Sequence, residues 1–272
     1  MDHLNLLKLS INSMEIFGYI ALFCVGLVLG TLGGGGSILS VPILVYLFSI
    51  DTVMASAYSL FIVGTTSLVG TCIKFNSSLV NIRTGIQFGI PSLIAIFITR
   101  RWLIPLIPDL ICQIGSFQLS KRSLILGIFA ILMILASLAL IKRKRDQESS
   151  GNKVPAPFLI LAGLTTGVLT GLVGAGGGFL IIPALVYLAK LPFKTTVGTT
   201  LFIITINSFV GFVGDVFYQP INWNFLLLIT SLAITGIIAG GRIVNLLPTQ
   251  KLQKSFGWFI LVMGTWILWR EI

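Results

Sequence analysis

Charge is what this sequence has least of. Asp, Glu, Lys and Arg together make up 10% of its 272 residues against 56% apolar ones, and only eight of them are acidic. With a mean hydropathy of +1.03, too little polar surface remains to coat a water-soluble globule. Histidine occurs once, as His3, in an N-terminal stretch without an acidic cluster, which argues against a metal site or a histidine-dependent triad. The cysteines Cys24, Cys72 and Cys112 are odd in number, lack metal or redox spacing and read as structural. No GxxxxGKS/T stretch is present, so nothing suggests an ATP-driven pump. Glu15, Asp51, Asp109, Asp215 and Glu271 are scattered at the ends of apolar runs, whereas a membrane-embedded enzyme such as a lipid phosphatase needs carboxylates or histidines converging at depth. No enzyme, cofactor or metal is expected.

What is abundant is apolar sequence of membrane-spanning length. Runs cover 16–48, 53–73, 84–99 and 122–141, then 158–189, 195–214, 221–241 and 255–269. A secretory signal beginning at Met14 could explain the first run alone, but a similar run recurs mid-chain, so the chain is read as an all-α, polytopic membrane protein. The first and fifth runs are too long for one straight crossing. The 33 residues of 16–48 would reach about 50 Å as a helix, against a hydrocarbon core of about 30 Å. Both have a glycine cluster near the middle.

Those clusters belong to an internal repeat. A shift of 141 positions lays GVLTGLVGAGGGFLIIPALVYL, from Gly167, onto GLVLGTLGGGGSILSVPILVYL, from Gly26, without a gap. Identities include Gly33 with Gly174, Gly35 with Gly176, Gly36 with Gly177, Pro42 with Pro183 and Tyr46 with Tyr187, and 17 of the 45 positions from 26 to 70 match. Shared greasiness would not align Gly, Pro and Tyr, so duplication is the simplest account. The expected organisation is a first membrane repeat, 1–141, a polar linker, 142–157, and a second membrane repeat, 158–272.

The linker, KRKRDQESSGNKVPAP, has a basic run that could suit nucleic acid or lipid headgroups, but beside a spanning helix it reads as a topology signal. No nucleic-acid partner is expected. If each long run crosses once, the 18 Lys and Arg divide 9 to 9; if each turns back or crosses twice, the linker side collects twelve and the other side six. The second threading obeys the positive-inside rule and places the linker in the cytoplasm; the expected location is a cell membrane, the inner membrane of a bacterium. This threading also gives each half an odd number of crossings. The expected fold is therefore two inverted repeats, each with a glycine-broken helical hairpin plus about three spanning helices.

A glycine turn inside the membrane starts a half-helix there, presenting unpaired N–H groups and the positive end of a helix dipole. Irregular backbone at that depth is tolerated only where protein or a water-filled cavity satisfies it. Two such starts, meeting from opposite sides, would cradle a small anion with main chain. The proposed lining is Gly33, Gly34, Gly35 and Gly36 with Gly174, Gly176, Gly177 and Gly178. Close helix packing through GxxxG spacing better explains Gly26 with Gly30 and Gly167 with Gly171, but four contiguous glycines point around a whole helix. Thr65, Thr66 and Ser67, and Thr199, Thr200, Asn207 and Ser208, are the hydroxyl and amide groups that could complete the cradle. Lys74 and Asp215 are equivalent under the shift, as are Arg101 and Arg242; these four are candidates for a gate or for proton coupling.

The doubled motif, GTLGGGGSILSVP and GLVGAGGGFLIIP with GTTLFIITINSFVGF after the second, resembles the TauE/SafE family of sulfite and sulfonate export permeases, over about residues 16 to 270. The resemblance implies a secondary carrier, an exporter or permease of small inorganic or organosulfur anions such as sulfite or sulfoacetate, coupled to protons or the membrane potential. A passive anion channel is the alternative, and membrane lipid is the other expected partner. One departure stands out: Ala57, Tyr58 and Ser59 take the places of Gly198, Thr199 and Thr200, so unequal contributions from the two halves are expected.

Overall fold

A computed structural model describes residues 2–34, 36–108, 110–114, 117–142, 155–173, 177–187, 189, 191–216, 221–243 and 249–271. Both long apolar runs break at their glycines. The first half contains α1 (Asp2–Leu32), α2 (Ser37–Tyr46), α3 (Thr52–Phe75), α4 (Ile82–Leu106) and α5 (Lys121–Lys142). The second contains α6 (Ala156–Val173), α7 (Gly178–Tyr187), α8 (Phe193–Val216), α9 (Trp223–Ile243) and α10 (Thr249–Glu271). The ends of α1 and α6, both bounds of α2 and α7, both bounds of α3 and α8, and the starts of α4 and α9 all differ by the 141 positions of the repeat, as in 37 to 178 and 75 to 216. The duplication is thus written in the helix boundaries as well as in the residues.

Among the described residues, five helices are long and apolar enough to cross a membrane: Glu15–Leu32, Thr52–Phe75, Ile82–Leu106, Lys194–Val216 and Trp223–Ile243. The ten residues of α2 and of α7 reach only about 15 Å, half the hydrocarbon thickness. Two features depart from the sequence reading. The run at 84–99 continues as helix to Leu106 through a π-helical stretch, Thr99–Leu103. A two-stranded antiparallel hairpin, β1 (Leu110–Ile114) with β2 (Phe117–Ser120), joins α4 to α5 in the gap between apolar runs. The outer surface carries large apolar side chains, including Ile86, Ile90, Ile94 and Phe97 on α4 and Trp258, Val262 and Trp269 on α10. So broad an apolar exterior suits lipid and not water.

Small residues bring the long helices together. A Cβ on Gly26 would lie 2.0 Å from the Ala233 carbonyl oxygen, and one on Gly30 would lie 2.5 Å from that of Ile237. The same contact recurs in the other half, where Gly163 packs on Phe88, Gly167 on Ser92 and Gly171 on Thr99. GxxxG packing therefore accounts for Gly26, Gly30, Gly167 and Gly171. Exchanging the two halves turns α1–α9 into α6–α4, α3–α9 into α8–α4 and α2–α3 into α7–α8, whereas α3–α8, α2–α7 and α5–α10 map onto themselves.

The register of these contacts fixes the helix directions. From Gly26 with Ala233 to Gly30 with Ile237, α1 and α9 advance together; so do α3 and α9, from Tyr58 with Asn222 to Gly70 with Ile237. Likewise α6 and α4 advance together, as do α4 and α8, from Gly89 with Ile203 to Ser92 with Asn207. By contrast α3 and α8 oppose one another, with Leu60 against Gly211, Gly64 against Ser208 and Gly70 against Leu201. Hence α1, α3 and α9 point one way and α4, α6 and α8 the other. Because α1 and α3 are parallel, the segment between them, α2 included, brings the chain back.

Candidate functional site

The two glycine turns meet. A Cβ on Gly34 would lie 2.8 Å from the Gly178 carbonyl oxygen, and one on Gly178 would lie 2.7 Å from both the Cα and the oxygen of Gly34. Gly33 has φ +78° and Gly177 φ +70°, a left-handed backbone in which a side chain is strained. Gly36 precedes α2 with its Cβ position 2.3 Å from the Val25 carbonyl oxygen. No side chain caps the start of α2. Gly35, Gly174 and Gly176 lie outside the described residues. Every described turn glycine is buried, and the neighbours differ from one to the next: Val197 at Gly33, Gly178 and Ile182 at Gly34, Val25 and Leu29 at Gly36. Close packing all round the turn is therefore one reason for contiguous glycine.

Helix α8 runs past both turns. Val197 touches Gly33 and Ile204 touches Gly178, and helical periodicity places Thr200 between them with Ser208 one turn beyond Ile204. Thr200 and Ser208 are fully buried, and neither hydroxyl has a hydrogen-bond partner among the described residues. The same holds for Thr65 Oγ1, Ser67 Oγ and Asn207 Oδ1. Ser67 and Ser208 are repeat equivalents on the opposed α3 and α8, where Thr71 and Thr205 also approach to 3.5 Å. An unpaired buried polar group costs about 1–3 kcal/mol, so five such atoms on the paired helices α3 and α8, with Asn207 on the side of α8 that faces Ser92 of α4, favour a polar occupant.

Two of the sequence-predicted hydroxyls are committed elsewhere. Thr66 donates to the Ile62 carbonyl oxygen within its own helix. Thr199 Oγ1 accepts from the Asn81 amide at 2.9 Å, and at the equivalent place Tyr58 Oη accepts from the Asn222 amide at 2.8 Å. Asn81 and Asn222 in turn cap α4 and α9 through Thr84 N–H and Phe225 N–H. The expected inequality of Tyr58 and Thr199 is thus absent: unlike residues anchor the same cap. The inequality falls one residue later. Ser59 hydrogen-bonds Ser40, whereas their equivalents are Thr200 and Ile181, which leaves Thr200 without a partner among the described residues.

Of the four charged candidates only Asp215 is drawn into a buried cluster, and its partner is Arg100, not Arg101. Arg100 Nη1 pairs with Asp215 Oδ2, and Nη2 donates to Ser56 Oγ. The two side chains are 3% and 13% exposed. Arg101 and Arg242 are exposed, and Lys74 is half-buried at the end of α3, its Cβ facing Gly198. The sequence reading chose Arg101 because the shift aligns it with Arg242; the π-helical stretch that holds both arginines turns Arg100 inward instead. The structure adds Arg100, Ser56, Ser92, which accepts from Asn207 Nδ2 at 2.8 Å, and Thr170, whose buried hydroxyl has no partner among the described residues. Among the described residues no cluster of His, Cys, Asp and Glu could hold a metal ion.

Comparison with known proteins agrees with this architecture. The family described as "Sulfite exporter TauE/SafE" matches residues 19–267. A "Probable membrane transporter protein" of Xylella fastidiosa is 24% identical over 261 residues, covering 91% of this chain and 92% of its own. "Probable membrane transporter protein YunE" of Bacillus subtilis is 25% identical over 285 residues, covering 93% and 98%. One from Methanocaldococcus jannaschii is 33% identical over 111 residues, covering 39% and 42%. No solved structure matches the chain. With a family match running through both glycine-broken halves, the chain belongs to the TauE/SafE family and is a multi-pass membrane transporter.

Proposed function

We propose that the protein is a secondary transporter of small sulfur-containing anions, sulfite, sulfoacetate or related sulfonates, and that the anion is held at mid-depth against the touching glycine-rich starts of α2 and α7. Residues 1–141 and 158–272 are read as inverted membrane repeats joined by a cytoplasmic linker, 142–157, most of which lies outside the described residues. The opposed directions of α1 and α6, α3 and α8, and α4 and α9 support this reading. Export driven by protons or the membrane potential is the direction and coupling implied by the family.

The observation that carries the reading is Thr200: a fully buried hydroxyl without a partner among the described residues, on the helix face that spans both turns. Backbone N–H groups at helix starts neutralise an oxyanion without a formal charge, and hydroxyls on α3 and α8 replace part of its hydration. Thr200→Val keeps the shape and removes the hydrogen bond. Loss of a hydrogen bond to a charged group predicts about tenfold or greater weakening of sulfite counterflow in proteoliposomes. Counterflow also separates a carrier from a channel, since a channel does not accelerate uptake of labelled sulfite when unlabelled sulfite is inside. Wild-type vesicles without counterflow, or a Thr200→Val protein with the wild-type rate, would overturn the reading.

A further inference from the structure

The mid-depth site does not explain Arg100. A guanidinium 3% exposed, against a carboxylate 13% exposed, is an expensive ornament if it serves stability, because well-packed apolar residues replace buried ion pairs at little or no cost. Nor does the shared scaffold need it. Under the 141-position shift Arg100 corresponds to Gly241, Asp215 to Lys74 and Ser56 to Val197. At that second place nothing lies within 4 Å of a Cβ added to Gly241, and no acid faces Lys74 from the equivalent position. Among the described residues the same helix junction is therefore built without an ion pair.

Three features of the Arg100 cluster point to a ligand. The guanidinium is incompletely used: Nη1 meets Asp215 and Nη2 meets Ser56, while the buried Nε has no partner among the described residues. The neighbouring helix α6 carries a second buried polar atom without a partner among the described residues: Thr170 Oγ1 faces Gly177 at the start of α7, and the next residue, Gly171, packs on Thr99, the neighbour of Arg100. Finally, Asp215 lies in the last turn of α8 and is the more exposed member of the pair, so its carboxylate can leave toward solvent while Arg100 stays. The planar fork of N–H donors on an arginine suits an oxyanion with two or three oxygens as well as it suits a carboxylate.

We propose that Arg100 is a binding residue for the transported oxyanion and that Asp215 is the internal anion that holds its place: the two compete for one guanidinium, so loading at this end of the pathway releases α8 from α4. Among the described residues only one end has such a competitor, which makes the two ends energetically unlike. This inference rests on the transport reading above.

Labelled sulfite binding to the purified protein, with counterflow in proteoliposomes, tests it. Asp215→Asn removes the competing charge, and about tenfold tighter sulfite binding with slower counterflow is expected. Arg100→Gln combined with Asp215→Asn leaves no buried charge unpaired; it is expected to abolish the tightened binding while its melting temperature stays within a few degrees of wild type. Arg100→Lys keeps the ion pair but gives up the fork, and about tenfold weaker binding is expected, which keeps the test decisive if Asp215→Asn does not fold. Equal sulfite affinity in wild type, Arg100→Lys and the double variant overturns the inference. If that equality accompanies loss of counterflow in Thr200→Val, the transport reading stands alone. A wild type that binds neither sulfite nor sulfoacetate overturns both.

Discussion

The two ends of the α3–α8 pair are built on one backbone plan and finished differently. Where α8 ends, Asp215 meets Arg100 of α4 and Ser56 of α3. Where α3 ends, Lys74 stands in place of Asp215, Gly241 in place of Arg100 and Val197 in place of Ser56, with Lys194 one turn before Val197. Helix boundaries that repeat to the residue show that the fold tolerates both solutions. The difference teaches that one repeated scaffold accommodates a buried ion pair at one end and does without those residues at the other. In a carrier that exposes its ends in turn, such unequal ends bias which one is closed at rest.

The largest test of that comparison removes the acid alone. Asp215→Ala strands a buried guanidinium and should cost about 3–5 kcal/mol, read as a lower midpoint in thermal or denaturant unfolding in detergent. Lys74→Ala, the matching change at the other end, should move that midpoint little; equal losses would dissolve the contrast. Next comes the packing that both halves share. Gly26→Ala puts a methyl 2.0 Å from a backbone oxygen and should cost about 1–3 kcal/mol through helix displacement, and Gly167→Ala should match it. A smaller and more diagnostic pair is Ser59→Ala against Thr200→Val. The first loses the bond to Ser40 and should cost about 1 kcal/mol; the second has no partner to lose among the described residues and should leave stability unchanged while counterflow falls. Smallest of all, Gly241→Ala enters open space in a helix and should be neutral or stabilise by up to about 1 kcal/mol.

Much of the architecture was legible before any coordinates. Composition gives the membrane class, run length demands a break, and the glycine clusters locate it, because consecutive residues without a Cβ both weaken a helix and admit left-handed backbone. The GxxxG pairs were legible for the same reason: their spacing brings small residues to one face. The candidate site was legible only in outline. Thr199 and Thr200 are neighbours of the same type, and sequence cannot tell that one hydroxyl caps the approach to α4 through Asn81 while the other faces both turns. Arg100 and Arg101 are likewise indistinguishable until the π-helical register of Thr99–Leu103 sets which one points inward. That Tyr58 and Thr199 perform one task is invisible from their chemistry, because what matters is where each oxygen ends up relative to an asparagine amide.

By itself, then, the sequence determined a duplicated, glycine-broken helical membrane protein, because hydropathy, length and backbone freedom are properties of residues and their spacing. Tertiary structure alone decided that Gly34 and Gly178 touch, that the buried Thr200 hydroxyl has no partner among the described residues, and that Arg100 and not Arg101 holds Asp215. Those facts depend on the angle and register at which separate helices meet, and small rotations of a packed helix exchange one neighbouring side chain for the next.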